Sequence, residues 1–230
     1  MKTLLILPGL LEDADAFEEL VASLRGTADA VVADLTRADT VADLARSALE
    51  QAPDGPFLVA GHSMGGYVGL ELLRQAPGRV SGVALLNTHA RPDSDEATAN
   101  RRRLMALADT DFEAVVSTLM PKLMTPAHLE DPVLTGTIGA MALAVGREAF
   151  KRQEQAIIGR IDSRPHLKAI RCPTLVIAGR DDQLMPVPLL EELADGIPGA
   201  RLEVLAECGH MASIEQPARV VELMGAWAGG

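Results

Sequence analysis

Two rhythms of apolar and polar positions alternate along the chain. Thr3-Leu4-Leu5-Ile6-Leu7 is an uncharged, mostly apolar run closed by Pro8-Gly9, the pattern of a strand buried on both faces of a parallel sheet. Behind it, Phe17, Leu20, Val21 and Leu24 recur at helical spacing, and the acidic start Glu12-Asp13 suits a helix N-terminus. Ala30 to Ala33 predicts a second strand. Val41, Leu44, Ala45, Ala48 and Leu49 form the next helical stripe, with Thr40 and Asp43 placed as a capping box. Phe57 to Ala60 reads as a third strand and Val80 to Leu86 as a fourth, with a helix between them. This alternation predicts an α/β fold, a mostly parallel sheet of about six strands covered by helices on both faces.

Between about Arg91 and Arg164 the rhythm changes. No strand pattern occurs there, helical stripes such as Phe112, Val115, Val116, Leu119 and Met120 do, and prolines punctuate the segment at 92, 121, 126, 132 and 165. Four or five short helices are expected. Strand patterns return at Thr174 to Ala178 and Leu202 to Leu205, and a last helix carries Val220, Val221, Met224 and Trp227. The organisation predicted is a core of residues 1–90 and 165–230, interrupted after the fourth strand by a helical insertion of residues 91–164.

Composition narrows the function classes. With 230 residues the chain has room for one large domain or two small ones, and a chain of this size buries roughly 70% of its unfolded surface without disulfides or metals. The formal net charge is −11, which argues against nucleic acid or an anionic membrane as partner. A small-molecule substrate, met by a monomer or homodimer, is the partner expected. Cys172 and Cys208 have neither a disulfide framework nor a C-x-x-C metal spacing, so two reduced thiols are expected. The opening run Leu4 to Leu7 is too short for a signal peptide, and no stretch approaches the ~20 apolar residues of a membrane span. A cytoplasmic location is the expectation.

The sharpest chemical signal is Gly61-His62-Ser63-Met64-Gly65-Gly66, set directly after one strand and before a helix. A serine centred in G-x-S-x-G on such a turn is a nucleophile elbow. The turn is tight enough to require glycine two residues to either side. It aims the next backbone N–H, that of Met64, toward a developing oxyanion at a helix N-terminus. Serine needs a base to take its proton. Of five histidines, His62 adjoins Ser63 with its ring expected to point away as a packed neighbour. His89, His128 and His166 lie in or beside the insertion. His210 follows the last strand, so its loop leaves the sheet at the rim where Ser63 stands. An acid to orient it is offered by Asp181 and Asp182 after the fifth strand, and more remotely by Asp93 and Asp95.

Taken together these residues resemble the α/β-hydrolase fold superfamily. Nucleophile, acid and histidine come in that family's order, Ser63, Asp182, His210. The family's acid motif, G-x-x-D-x-x-x-P, is matched by Gly179, Asp182 and Pro186, which selects Asp182 over Asp181. Its histidine motif is matched by Gly209, His210, Glu215 and Pro217. The resemblance covers essentially the whole chain and implies that the insertion is the family's lid. Two departures stand out. Where the family usually carries His-Gly, this chain reads Pro8-Gly9-Leu10-Leu11, so the second oxyanion donor is assigned to the backbone of Leu10, with Leu11 as the near miss. The sequence also opens on the strand that bears this loop, so the family's first two antiparallel strands are expected to be absent.

The activity implied is that of a cofactor-independent serine esterase, with no metal and no cofactor site. A lactonase, thioesterase, carbon–carbon hydrolase or perhydrolase could use the same residues, and a slow-turnover ligand receptor is the reading from another class. Methionines at 64, 105, 120, 124, 141, 185 and 211 suggest either an adaptable apolar pocket or ordinary core filling. Arg101-Arg102-Arg103 reads more readily as a solvated helix face than as a site for an acidic substrate group. Cys208 reads as a buried small residue rather than a nucleophile.

Overall fold

The computed structural model describes residues 2–25 and 28–229. Six strands, β1 (Lys2–Leu7), β2 (Ala28–Val32), β3 (Phe57–His62), β4 (Val80–Leu86), β5 (Thr174–Gly179) and β6 (Arg201–Leu205), form one sheet in the order β2-β1-β3-β4-β5-β6. Every pairing is parallel. All strand C-termini therefore open on one rim. The order reverses between β1 and β3, and in such sheets that reversal leaves a crevice above the strand ends. The loops after β1 and β3 flank it.

Helices cover both faces because alternate strand residues demand it. Leu5, Leu7, Val59, Val83, Leu85 and Val176 pack on one side with α2 (Val41–Gln51), α3 (Met64–Gln75) and α9 (Val187–Gly196). Leu4, Ile6, Leu58, Ala84, Leu86 and Ile177 face α1 (Glu18–Ser23) and α11 (Pro217–Gly229) on the other. Thr40 caps α2 as the sequence suggests, its hydroxyl accepting from the Asp43 N–H at 3.1 Å. The first helix departs from expectation. A 3-10 turn at Ala14–Phe17, capped by Asp13, precedes a short α1. Glu12 does not serve that helix end: it is buried, and other groups hold its carboxylate.

Between β4 and β5 run five helices, α4 (Asp95–Ala108), α5 (Phe112–Leu123), α6 (Pro126–Leu129), α7 (Pro132–Val145) and α8 (Arg147–Ile158). They share a small core of their own, Leu104, Val115, Val116, Ala142 and Phe150, which also takes in Leu11 from the loop after β1. The insertion is thereby packed onto the rim. Short α10 (Ala212–Glu215) follows β6. No single helix among the described residues is long and apolar enough to cross a membrane.

Candidate active site

Ser63 stands between β3 and α3 with φ 50° and ψ −116°. A non-glycine residue in such a conformation costs on the order of 1–3 kcal/mol and persists only where its surroundings enforce it. They do. A Cβ on Gly65 would collide with the carbonyl oxygen of Leu7, and one on Gly61 with that of Gly65, so β1, β3 and α3 close up only around glycine. The Ser63 N–H donates to the Leu86 carbonyl at 2.9 Å, and the Thr88 hydroxyl donates to the Ser63 carbonyl at 2.8 Å. The strained turn is thus pinned by the end of β4.

Three sequence-selected side chains meet on this turn. Ser63 Oγ lies 2.9 Å from His210 Nε2, and His210 Nδ1 lies 2.8 Å from Asp182 Oδ2. Asp182 accepts further bonds from Asn87 Nδ2 on the same oxygen, and from the N–H groups of Leu184 and Met185 on the other. Burial alone would raise the Asp182 pKa, but His210, Asn87 and the Met185 N–H outweigh it and hold the carboxyl at about 2. Asp181 is exposed at the surface beside it. Asp93 pairs with Arg160 and Arg101 instead, and Asp95 opens α4 in solvent.

The loop after β1 supplies the neighbouring main chain. The Leu11 N–H donates to Gln153 Oε1 at 3.1 Å, whereas the N–H groups of Leu10 and Met64 have no acceptor among the described residues. Leu11 pays for its inward turn with φ 61°. Glu12 braces this loop: its Oε2 accepts the Gly9 N–H at 2.7 Å, and its Oε1 lies 2.7 Å from His62 Nδ1. That second approach is too oblique for a well-formed hydrogen bond. His62 does point away from the serine hydroxyl, and its Nε2 reaches the carbonyl of His210 at 2.8 Å. Burial opposes charge on His62, but Glu12 outweighs it and leaves the pKa raised.

The His210 loop is held from the insertion. The N–H groups of His210 and Met211 both donate to the Leu123 carbonyl. Glu215 ties the two parts together, accepting from Gly209 N–H and Met211 N–H on one oxygen and from Thr125 N–H on the other, where His128 Nδ1 also lies 2.8 Å away. Cys208, fully buried beneath, has its thiol pushed upward by burial first and then by Glu215 and Asp182, so it stays protonated.

The model of the alpha/beta hydrolase family matches residues 4–223. The chain belongs to that family. "Putative carbamate hydrolase RutD" of Variovorax paradoxus is 32% identical over 185 residues, 77% of this chain and 69% of that protein. "3-oxoadipate enol-lactonase 2" of Acinetobacter baylyi is 31% identical over 168 residues, 73% of this chain and 61% of that one. The chain therefore spans between three fifths and about two thirds of the length of such curated relatives. Among solved structures, a thermophilic esterase from Thermogutta terrifontis, malate bound, superposes with a TM-score of 0.92 at 28% identity, covering 99% of this chain and 89% of that one. Family and relatives support a hydrolase.

In this alpha/beta hydrolase the serine opens onto a cavity of about 390 Å³ between sheet rim and insertion, within the range that holds a small ligand. Met141, Met185 and Met211 line it and, like Met64 and Met124, are packed into the core, so these three serve both roles the sequence left open. Arg102 and Arg103 are exposed as expected, but Arg101 turns inward and lines the cavity. Three supporting residues were not singled out from sequence for these roles: Asn87, Gln153 and Glu12. Asn87 alone left a trace, a polar residue directly after an apolar strand whose C-terminus reaches the rim; its φ of 47° is a structural finding.

Proposed function

We propose that this chain hydrolyses a small carboxylic ester with an apolar body through an acyl-enzyme intermediate, without a cofactor. Ser63 Oγ attacks the carbonyl carbon while His210 takes its proton. Asp182 holds the imidazole in the tautomer that leaves Nε2 free to accept. The tetrahedral oxyanion sits between the N–H groups of Met64 and Leu10, both without competing acceptors. His210 then protonates the departing alcohol, and water activated by the same nitrogen releases the acid. The observation that carries this reading is the 2.9 Å and 2.8 Å relay from Ser63 through His210 to Asp182 at the cavity wall.

A cyclic ester is the second reading, favoured by the 31% identical relative named as an enol-lactonase. The chemistry would be the same, with the alcohol tethered to the acyl group. Labelling with a fluorophosphonate tests the shared mechanism. Mass spectrometry should place one adduct on Ser63, and an adduct on Cys208 or none would overturn it. Turnover of p-nitrophenyl esters against simple lactones then separates the two substrates.

A further inference from the structure

The cavity wall is not uniformly apolar. Apolar side chains such as Leu104, Val116, Leu119, Ile138 and Met141 form one part of it, but one pole gathers Arg101, Arg160, Asp93, Glu154 and Tyr67. Arg160 Nη1 lies 2.7 Å from Asp93 Oδ1, Arg101 Nε 3.3 Å from that same oxygen, and Arg101 Nη1 2.6 Å from Glu154 Oε2. Two cations and two carboxylates balance in number. They do not balance in access. The side chains of Glu154 and Asp93 are 1% and 2% exposed, that of Arg160 is 5%, and that of Arg101 is 19%. Glu12, the remaining acid on the wall, is also shut away. Arg91 and Lys122, the other cations on the wall, are exposed. Arg91 is engaged by Glu192, and of the four charged side chains at the pole Arg101 is the most exposed.

Spare donors stand at that pole. Arg101 Nη2 donates to no acceptor among the described residues, since its bonds leave from Nε and Nη1. Tyr67 supplies a second. The Arg91 backbone N–H donates to His89 Nδ1 at 3.0 Å, so that nitrogen carries no proton. Burial, then Arg160, Arg91 and Arg101, push His89 down to about 4, which keeps the ring neutral with its proton on Nε2. That N–H faces Tyr67 Oη at 3.3 Å and is donated to it. The hydroxyl hydrogen is left with only Met185 Sδ, 4.0 Å away. The Arg160 guanidinium lies over the Tyr67 ring at 4.5 Å, which joins the tyrosine to the arginine ladder.

We propose that Arg101, with the Tyr67 hydroxyl beside the same arginine ladder, anchors a carboxylate on the substrate, so that the ester or lactone cleaved here carries a free acid group. The inference rests on the hydrolase reading above and adds its substrate class. The edge of the Arg101 guanidinium that carries Nη2 suits a carboxylate because a charge-assisted hydrogen bond is shorter and stronger than a neutral one. The acids behind Arg101 hold that edge in place, leaving the substrate less rotamer freedom to freeze.

The test compares monomethyl adipate with dimethyl adipate in a pH-stat at pH 7.5, with rates taken per ester group; the far end is a carboxylate in the first and a second methyl ester in the other. Wild-type kcat/KM should favour the half-acid by about tenfold or more, since a site built for a polar group discriminates against its absence. Arg101→Gln should lower that preference by at least about tenfold, chiefly through KM. Because Arg101→Gln leaves Glu154 unpaired and could unfold the insertion, the neutral pair Arg101→Gln with Glu154→Gln is measured beside it, with the same loss expected. Glutarate should also slow fluorophosphonate labelling of Ser63 in wild type and not in the double variant. A wild-type preference for the diester, or a half-acid preference that survives both variants, overturns the carboxylate anchor. Ser63 labelling tells the two failures apart: labelled enzyme that ignores the acid group refutes only this inference, and unlabelled enzyme refutes the hydrolase mechanism beneath it.

Discussion

Asp182→Asn probes both chemistry and stability at one atom pair. The carboxylate accepts four bonds, two per oxygen. An asparagine keeps one acceptor oxygen. If that oxygen stays with the Leu184 and Met185 N–H groups, the new NH2 confronts the Asn87 amide and His210 Nδ1. It can donate to His210 only if Nδ1 is bare, which moves the imidazole proton to Nε2, the atom that receives the serine proton in the mechanism proposed above. Turnover should fall on the order of 10⁴-fold. Stability follows from the depressed pKa. A carboxyl held at about 2 in the folded state, against roughly 3.9 unfolded, contributes about 2–3 kcal/mol. Because the folded value is the lower one, that contribution is whole above about pH 4 and vanishes as pH falls through about 2. Urea unfolding of both proteins at pH 7, 5, 4 and 3 should show a gap that is constant down to about pH 5 and narrows below pH 4. A gap that stays constant to pH 3, or a variant keeping more than a tenth of wild-type turnover, would refute the reasoning.

Ser63→Ala should abolish ester turnover by about 10⁴–10⁶-fold while preserving the melting transition, because glycines and not the hydroxyl shape the elbow; a lost transition would show that the hydroxyl is structural. Gly65→Ala should be among the most damaging single changes, more than about 4 kcal/mol, since its methyl has only the Leu7 main chain to displace, and a soluble variant with wild-type melting would disprove the close approach. His62 is held above its unfolded value of about 6.5 by Glu12, so that stabilisation is complete below that pH and is lost as pH rises through the folded value. Glu12→Gln should therefore flatten the decline of Tm between pH 6 and 9, and an unchanged slope would show that the pair is not coupled. Iodoacetamide at pH 8 should leave Cys208 unmodified in the folded protein; rapid alkylation without unfolding would contradict its burial.

What could be read in the sequence is what short-range pattern encodes. The elbow is six consecutive residues, and glycine at 61 and 65 is demanded by contacts made within the turn and with β1. Strand runs and rim loops followed from apolar periodicity, which brought Ser63, His210 and the pair Asp181-Asp182 to one rim; the choice of Asp182 came from the resemblance to the family's acid motif. The misses are long-range. Glu12 looked like a helix-end acid because its neighbours are helical, yet Gly9 and His62 claim its oxygens. Arg101 sits three residues before buried Leu104, on the inward face of α4, but periodicity does not reveal whether a long cationic side chain snorkels outward or fills a cavity. Gln153 reaches Leu11 across 142 residues, and no local pattern foretells such a partner.

The ties between Leu123, Thr125 and the histidine loop have a consequence for recombining this protein with its relatives. The α5–α6 corner provides main-chain support for His210, and α8 provides Gln153 for the loop that bears Leu10. The insertion is therefore not one interchangeable part. A chimera that imports the whole segment must reproduce a carbonyl at 123, an amide at 125 and an acceptor at 153, or it will disturb both rim loops at once. A graft confined to α4, which carries Arg101, changes what the cavity recognises and leaves those supports in place.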